Sequence, residues 1–569
     1  MHVLAYAPLG ADGIIIRVEV DIRRGIPGID ITGLADGAVR EARERVRASF
    51  RNSGYSFPTD RVLINLAPAG LRKEGASLDL PIAVSVMAAT GTVPVPDRLM
   101  VLGELELSGR VRPVRGVLAA VTAGLREGIN EFIVPLENAG EAGVLAGVRF
   151  FAAATLAETV HALFVRAETG ELPESGSNLP FSPNAGPGCG IGGYPAEASF
   201  AWDFSDVHGQ ERYKRALEIA AAGGHNLLVF GPPGSGKTML ARRFPSILPP
   251  LEPEEAVEVT RLHSLAGQVR DSRAYGNSSE AIHAGICRRD PAEPGFPSGS
   301  GLVRQPPFRS PHHSASAEGI LGGGRIVRPG EITLAHFGIL FLDEAPEFRA
   351  HVLQSLREPL EDKVITIVRA DGPLRLPADF QLVLAANSCP CGRLGAVHSE
   401  AAGMHGGEAG CFCAPDEIKR YWRKLGSALL DRIELRFPIR SAGAPSTSKG
   451  KEESQYCSSA EIRRRVMAAV EIQRERFKGS PMRRNAGIFP GLIEEYCPLT
   501  KKAKEAFTVA AVKLGLSGRA CHGILKVSRT IADLEGAAVI DTVHLLEAVQ
   551  HRRFGEDPYD IFSIEEMEE

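Results

Sequence analysis

The residues best placed to do chemistry lie in one octapeptide, Gly231-Pro232-Pro233-Gly234-Ser235-Gly236-Lys237-Thr238. It fits the pattern G-x-x-x-x-G-K-[ST] at every fixed position. Its glycines let successive backbone N–H groups turn inward around phosphate oxygens. Lys237 then reaches the outer phosphates, and the Thr238 hydroxyl supplies a ligand to Mg²⁺. The flanks suit phosphate binding, since an apolar strand, Asn226–Phe230 (NLLVF), comes before the loop and the helical MLARRFPSIL follows. A second apolar strand, Gly338–Glu344 (GILFLDE), ends in two acids. Asp343 is placed to hold the Mg²⁺ shell, and Glu344 to orient or polarise an attacking water. A third buried strand, Gln381–Ala386 (QLVLAA), ends in Asn387, whose amide suits positioning the same water. Together these parts predict an ATP- and Mg²⁺-dependent hydrolytic core.

A different chemistry is offered by Cys389-Pro-Cys391 and Cys411-Phe-Cys413, two pairs separated by a Gly-rich loop. Four thiolates satisfy a tetrahedral Zn²⁺, although C-x-C is tighter than the usual ligand spacing. His398 and His405 lie between the pairs and can replace a cysteine. Metal-free thiols are the alternative.

These groups need elements to hold them, and the chain divides accordingly. At 569 residues it is long enough for three or four domains. Residues 1–166 mix short β-rich runs, Ile14–Val20 and Val62–Ala67, with the helical Ala38–Phe50 and the apolar Leu80–Ala89. Residues 167–204 read as a flexible linker, and the core runs from 205 to 440. Within the core, 271–300 reads as a surface insertion and 389–413 as a Cys-rich loop. After a Ser/Gly-rich joint at 441–454, a helical tail extends the last segment, 441–569. Just before the Asn387 strand, Lys363–Pro377 reads as a hairpin around Asp371-Gly372.

Composition narrows the classes further. Hydrophobic residues make up 44% and charged residues 24%, a globular balance. With 65 basic and 69 acidic residues the net charge is −4, which gives no support for a wholesale basic nucleic-acid binder. No apolar run is long enough to span a bilayer, so no membrane partner is expected. The start of the chain lacks a secretory pattern, and nine cysteines fit a reduced, cytoplasmic setting better than a disulfide framework. Between Arg463 and Arg484 stand eight Lys or Arg and two acids, either a DNA-facing stripe or a solvated helix face.

The motifs resemble the AAA+ ATPases of the magnesium-chelatase-like clade, and within it the bacterial YifB/ComM group of competence-associated ATPases. The likeness covers nearly the whole chain: GIDITGLADGAVREARERVRASFRNSGY, INLAPAGLRKEGASLDLPIAV, PFRSPHHSASAEGILGGG, RPGEITLAHFGILFLDEAPEF, LLDRIELRF and LSGRACHGILKVSRTIADLEG. It implies a multidomain α/β chain: an α+β N-terminal domain, a P-loop α/β core and a helical C-terminal lid. Asn387 is implied as sensor 1, Arg432 as an arginine finger entering a neighbour's ATP site, and Arg519 as the sensor-2 arginine with Arg529 as runner-up. A finger working in trans requires a ring, and the family suggests a homohexamer. The hairpin is implied to face a central pore, where Lys363, Arg369 and Arg375 contact DNA phosphates. Arg309, His312 and His313 are further candidates, although a structural hydrogen-bonding role suits the two histidines equally well. The implied activity is a helicase or branch-migration motor acting on single-stranded or branched DNA during natural transformation. A metal-insertion ATPase and a protein-remodelling ring are the rivals. Two departures stand out: Ser388 replaces the group's usual proline, and the 271–300 stretch is longer than the family needs.

The N-terminal segment also resembles the proteolytic domain of Lon-type proteases, the ribosomal S5 domain 2-like fold. Ser77 stands at that family's nucleophile, but Leu118 falls where its lysine base belongs. A leucine accepts no proton, and Arg115 stays protonated, so the chain is expected not to be a protease.

Overall fold

The computed structural model describes residues 2–173, 202–268, 302–394, 411–439 and 458–552, apart from positions 35, 72, 74, 146, 208, 325, 326, 370 and 371. Most of the expected linker, the 271–300 insertion, the 441–454 joint, His398, His405 and Asp371 lie outside the described residues.

The N-terminal segments build a seven-stranded mixed sheet. Its order is Gly28–Thr32, Arg61–Ala67, Ile14–Arg23, His2–Ala7, Leu99–Val101, Glu131–Pro135, Arg149–Ala153. Alternate residues of a strand face opposite sides, so His2–Ala7 serves two cores at once. Val3 and Ala5 pack beneath the helices Gly37–Asn52 and Asp79–Ala89. Leu4 and Tyr6 face the helix Val117–Arg126. The Asp79–Ala89 helix is buried from Asp79 to Ala88, which explains why its sequence shows no polar face.

The second sheet is wholly parallel: Phe308–Arg309, Ile339–Leu342, Gln381–Asn387, Leu227–Gly231, Leu435–Pro438. Parallel strands covered on both faces read as continuous apolar runs, and LLVFG, ILFL and QLVLAA do so here. Leu227, Val229, Phe341 and Val383 join one core; Leu228, Phe230, Leu340 and Leu384 join the other.

The C-terminal helices Ser459–Arg476, Gly518–Leu534 and Thr542–Arg552 share the first of those cores through Val466, Ile524, Val527 and Leu545, and Lys501–Lys513 packs Phe507 against it. Buried hydrogen bonds tie them to the sheet: His225 pairs with Thr530 across 2.7 Å, and Gln473 Nε2 donates to the Ala222 carbonyl at 3.0 Å. The N-terminal sheet is joined to the helix Pro253–Leu265. Leu265 packs among Leu4, Tyr6 and Val117, Arg261 meets Asp12 at 2.6 Å, and Ser264 donates to Glu141. Among the described residues no helix is long and apolar enough to cross a membrane.

Candidate nucleotide site

The glycine-rich loop leaves the carboxyl end of Leu227–Gly231, a strand flanked on both sides by parallel neighbours. Gly234 and Gly236 take left-handed φ angles of 76° and 87°, a conformation L side chains resist. At Gly231 the demand is space, because a Cβ there would meet the Ile439 carbonyl at 2.3 Å. Lys237 opens the helix Lys237–Arg243 and turns its amine back over the loop. Its Nζ donates to the carbonyls of Gly231 (2.9 Å) and Pro232 (2.8 Å) and to Asn387 Oδ1 (3.3 Å). Burial lowers the amine's pKa, against the opposing pull of Asp343 and Glu344. Ser235 Oγ is buried in the loop with no hydrogen-bond partner among the described residues. An orphaned hydroxyl in a loop turned by two left-handed glycines fits an oxygen-rich ligand.

The two acids arrive from the neighbouring strand end. Thr238 Oγ1 donates to Asp343 Oδ2 at 2.8 Å, so hydroxyl and carboxylate already share the place where a hard cation takes oxygen ligands. Glu344 stands next, with φ 49°, a sparsely populated conformation for a side-chain-bearing residue. That twist takes its carboxyl out of strand alternation, leaving it about half exposed, 3.6 Å from His313 Nδ1. Lys237, Thr238, Asp343 and Asn387 are therefore gathered at the carboxyl ends of three adjacent strands.

The four sulfurs of Cys389, Cys391, Cys411 and Cys413 lie within 4.8 Å of one another. Three of the separations are 3.3, 3.6 and 3.5 Å. A tetrahedral ZnS₄ unit has S···S edges of about 3.8 Å, so the thiols fit such an ion after small adjustments. Burial raises the Cys389 thiol pKa to about 11. For Cys391, burial is outweighed by N–H groups from Arg393 and Phe412 and by neighbouring thiols, lowering its pKa to about 6. The cluster adjoins the glycine-rich loop. Trp422 Nε1 donates to the Ser388 carbonyl at 3.0 Å and meets Phe230 edge-on, while a Cβ on Gly392 would press on Pro233 at 2.9 Å.

The arginines are placed elsewhere. The Arg432 carbonyl accepts from Asn226 Nδ2 at 2.9 Å, just before the amino end of Leu227–Gly231. The glycine-rich loop begins at the other end, about 16 Å away at roughly 3.3 Å per strand residue. Arg432 turns to Glu361, with a 2.8 Å ion pair, and Arg519 pairs with the same carboxylate. Arg529 is 1% exposed and is consumed by Asp533 at 3.0 Å and the carbonyls of Ala537 and Ala538. It braces its own helix.

The predicted hairpin forms from Val364–Arg369 and Gly372–Pro377. Arg375 is exposed opposite Thr366, and Arg369, beside the turn, donates to the Gly324 carbonyl at 2.8 Å. Lys363 sits at the base, 2.9 Å from Asp379. Arg309 is held by Glu331 through bonds of 2.7 and 2.9 Å. Both readings of the 463–484 basic run, a DNA-facing stripe and a solvated helix face, stay open, but four of its arginines already meet acids. Arg465 meets Glu218, Arg474 meets Glu252, Arg476 meets buried Asp533 and Arg483 meets Glu255. Arg484 is half-buried, its pKa lowered to about 10 by desolvation. Counting charges along the chain missed these partners because they are distant in sequence.

Leu118 is fully buried, and its N–H donates to Glu141 at 2.6 Å. Sequence reasoning also passed over Tyr213, whose hydroxyl donates to the Lys237 carbonyl at 3.3 Å, and Trp422. Neither stands in a motif that would have flagged it.

Residues 203–285 and 295–446 match magnesium chelatase, subunit ChlI. Residues 18–138 match subunit ChlI of Mg-chelatase, and residues 457–552 match the C-terminal part of that subunit. The parallel sheet and its loop thus belong to a protein of the magnesium-chelatase class of AAA+ ATPases. YifB of Salmonella typhimurium is 40% identical over 550 residues, 96% of this chain and 96% of that one. Competence protein ComM of Haemophilus influenzae is 36% identical over 558 residues, 97% of each. Within that class, the chain belongs to the YifB/ComM family. Lon protease of Geobacter metallireducens is 28% identical over 142 residues, 24% of this chain and 17% of the protease.

Proposed function

We propose that this chain is an ATP-driven DNA motor that works as a homohexameric ring, with helicase or branch-migration activity on single-stranded or branched DNA. The likeness to a competence protein extends the proposal to integration of incoming DNA during natural transformation. Its domains are 1–166, the ATPase core 205–440 and the helical 441–569. The observation that carries the reading is a separation. Lys237, Thr238, Asp343 and Asn387 converge at one end of the parallel sheet, while Arg432 and Arg519 share Glu361 towards the other.

Within one subunit, the loop amides and Lys237 bind the phosphates, Thr238 and Asp343 hold Mg²⁺, and Asn387 and Glu344 orient and polarise water. Bound ATP·Mg²⁺ supplies the phosphoryl group and the charge that clamps it. Arg432 cannot reach its own loop, so it completes a neighbour's site, where a guanidinium offsets charge spreading over the phosphoryl oxygens. Arg519, on the same carboxylate, acts alongside it. Arg369 and Arg375 on the hairpin meet the DNA backbone, and Lys363 anchors the hairpin's base. The four cysteines hold a structural Zn²⁺ that fixes the turn after Asn387.

The test is ATP turnover of the metal-replete chain with single-stranded DNA, a porphyrin or an unfolded protein. DNA is expected to stimulate and the other two not. Turnover indifferent to DNA, with no DNA binding, overturns the motor reading; purified protein without stoichiometric zinc overturns the metal.

A further inference from the structure

The segment 308–316 is delivered to the nucleotide site by strand pairing. Phe308–Arg309 lies parallel to Ile339–Leu342, the strand that ends at Asp343 and Glu344, with Phe308 opposite Ile339. The Arg309–Glu331 pair fixes the strand from one side, and Ser316 caps the helix Ala317–Leu321 that follows. Between these anchors stand His312 and His313. His312 Nδ1 is fixed by Ser314 Oγ at 2.8 Å, and its ring covers that of His313 with centroids 4.0 Å apart. On another side the Phe348 ring meets His313 edge-on at 6.5 Å. Ring contacts on two sides restrict an imidazole that is still 39% exposed, and its Nδ1 lies 3.6 Å from Glu344 Oε2.

We infer that His313 is the positioning residue for Glu344. This rests on the reading of Glu344 as the group that polarises water. The carboxyl hangs from a left-handed residue at a strand end and is about half exposed, so the backbone alone leaves it several rotamers. A braced imidazole beside one oxygen selects the rotamer that leaves the other oxygen free for water. Such a residue changes how often the base is aligned and leaves nucleotide affinity alone, because the groups it meets among the described residues are His312, Phe348 and Glu344.

The experiment compares His313→Ala, His313→Gln and Glu344→Gln in the full-length assembled protein, reading kcat and KM for ATP alongside equilibrium nucleotide binding. His313→Ala is expected to lower kcat about tenfold, with KM and binding within about twofold. His313→Gln, which restores a polar group at that position, is expected to recover most of the loss. Glu344→Gln should lower kcat by about a hundredfold or more. An unchanged or raised kcat in His313→Ala, with Glu344→Gln inactive, overturns the inference. Full turnover in Glu344→Gln instead overturns the assignment of Glu344, and the inference falls with it.

Discussion

In the N-terminal sheet the buried polar side chains close on one another. Arg45 clamps Asp79 through bonds of 2.6 and 2.9 Å, Asn138 donates to Glu141 at 3.1 Å, and Glu141 also takes the Leu118 N–H. At the loop end of the parallel sheet polar side chains are held differently: Ser235 Oγ has no hydrogen-bond partner among the described residues, Glu344 is strained, and Lys237 turns back on its own loop. Both sheets bury apolar strands under helices, so apolar burial does not distinguish a supporting sheet from a working one. The distinction lies in whether polar groups are satisfied internally or held ready for a ligand.

Substitutions can break or sharpen that contrast. The largest effect is expected in the parallel sheet, where Lys237→Ala and Arg432→Ala should each abolish turnover. For Arg432→Ala the loss should reach at least about 10³-fold while nucleotide binding persists, measured by steady-state ATP hydrolysis and nucleotide titration. Next comes Asp79→Ala, which removes the buried carboxylate that Arg45 clamps and should cost about 1.5–3 kcal/mol of stability in denaturant unfolding, with kcat unchanged below the transition. A large fall in kcat there would erase the contrast. Smallest is Arg375→Ala, expected to weaken single-stranded DNA binding severalfold and reduce the salt slope by about 0.7, read by titration across ionic strengths.

Much of this was legible in the sequence, for identifiable reasons. Parallel strands buried on both faces announce themselves as apolar runs, and the loop's glycines are dictated by backbone geometry, so Gly231–Thr238 and Asp343 could be placed before any fold was known. The Ile14–Val20 and Val62–Ala67 runs became Ile14–Arg23 and Arg61–Ala67, longer because strand pairing carries polar residues at the edges of the pattern. Side-chain partnership was not legible. The pairing of Arg474 and Arg483 with Glu252 and Glu255, and the approach of His313 to Glu344, depend on residues brought together by packing. For the same reason the charge count of the 463–484 run could not show that four of its arginines already had acid partners.

The central claim is that each catalytic site is built from two subunits, since Arg432 and the glycine-rich loop lie at opposite ends of one sheet. Mixing Lys237→Ala protein with Arg432→Ala protein tests it most directly. Each is inert alone, but a mixed ring places an intact loop from the Arg432 variant against an intact arginine from the Lys237 variant. Turnover should reappear on mixing and peak near equal proportions; a mixture that forms mixed rings and stays inert at every ratio would contradict the claim.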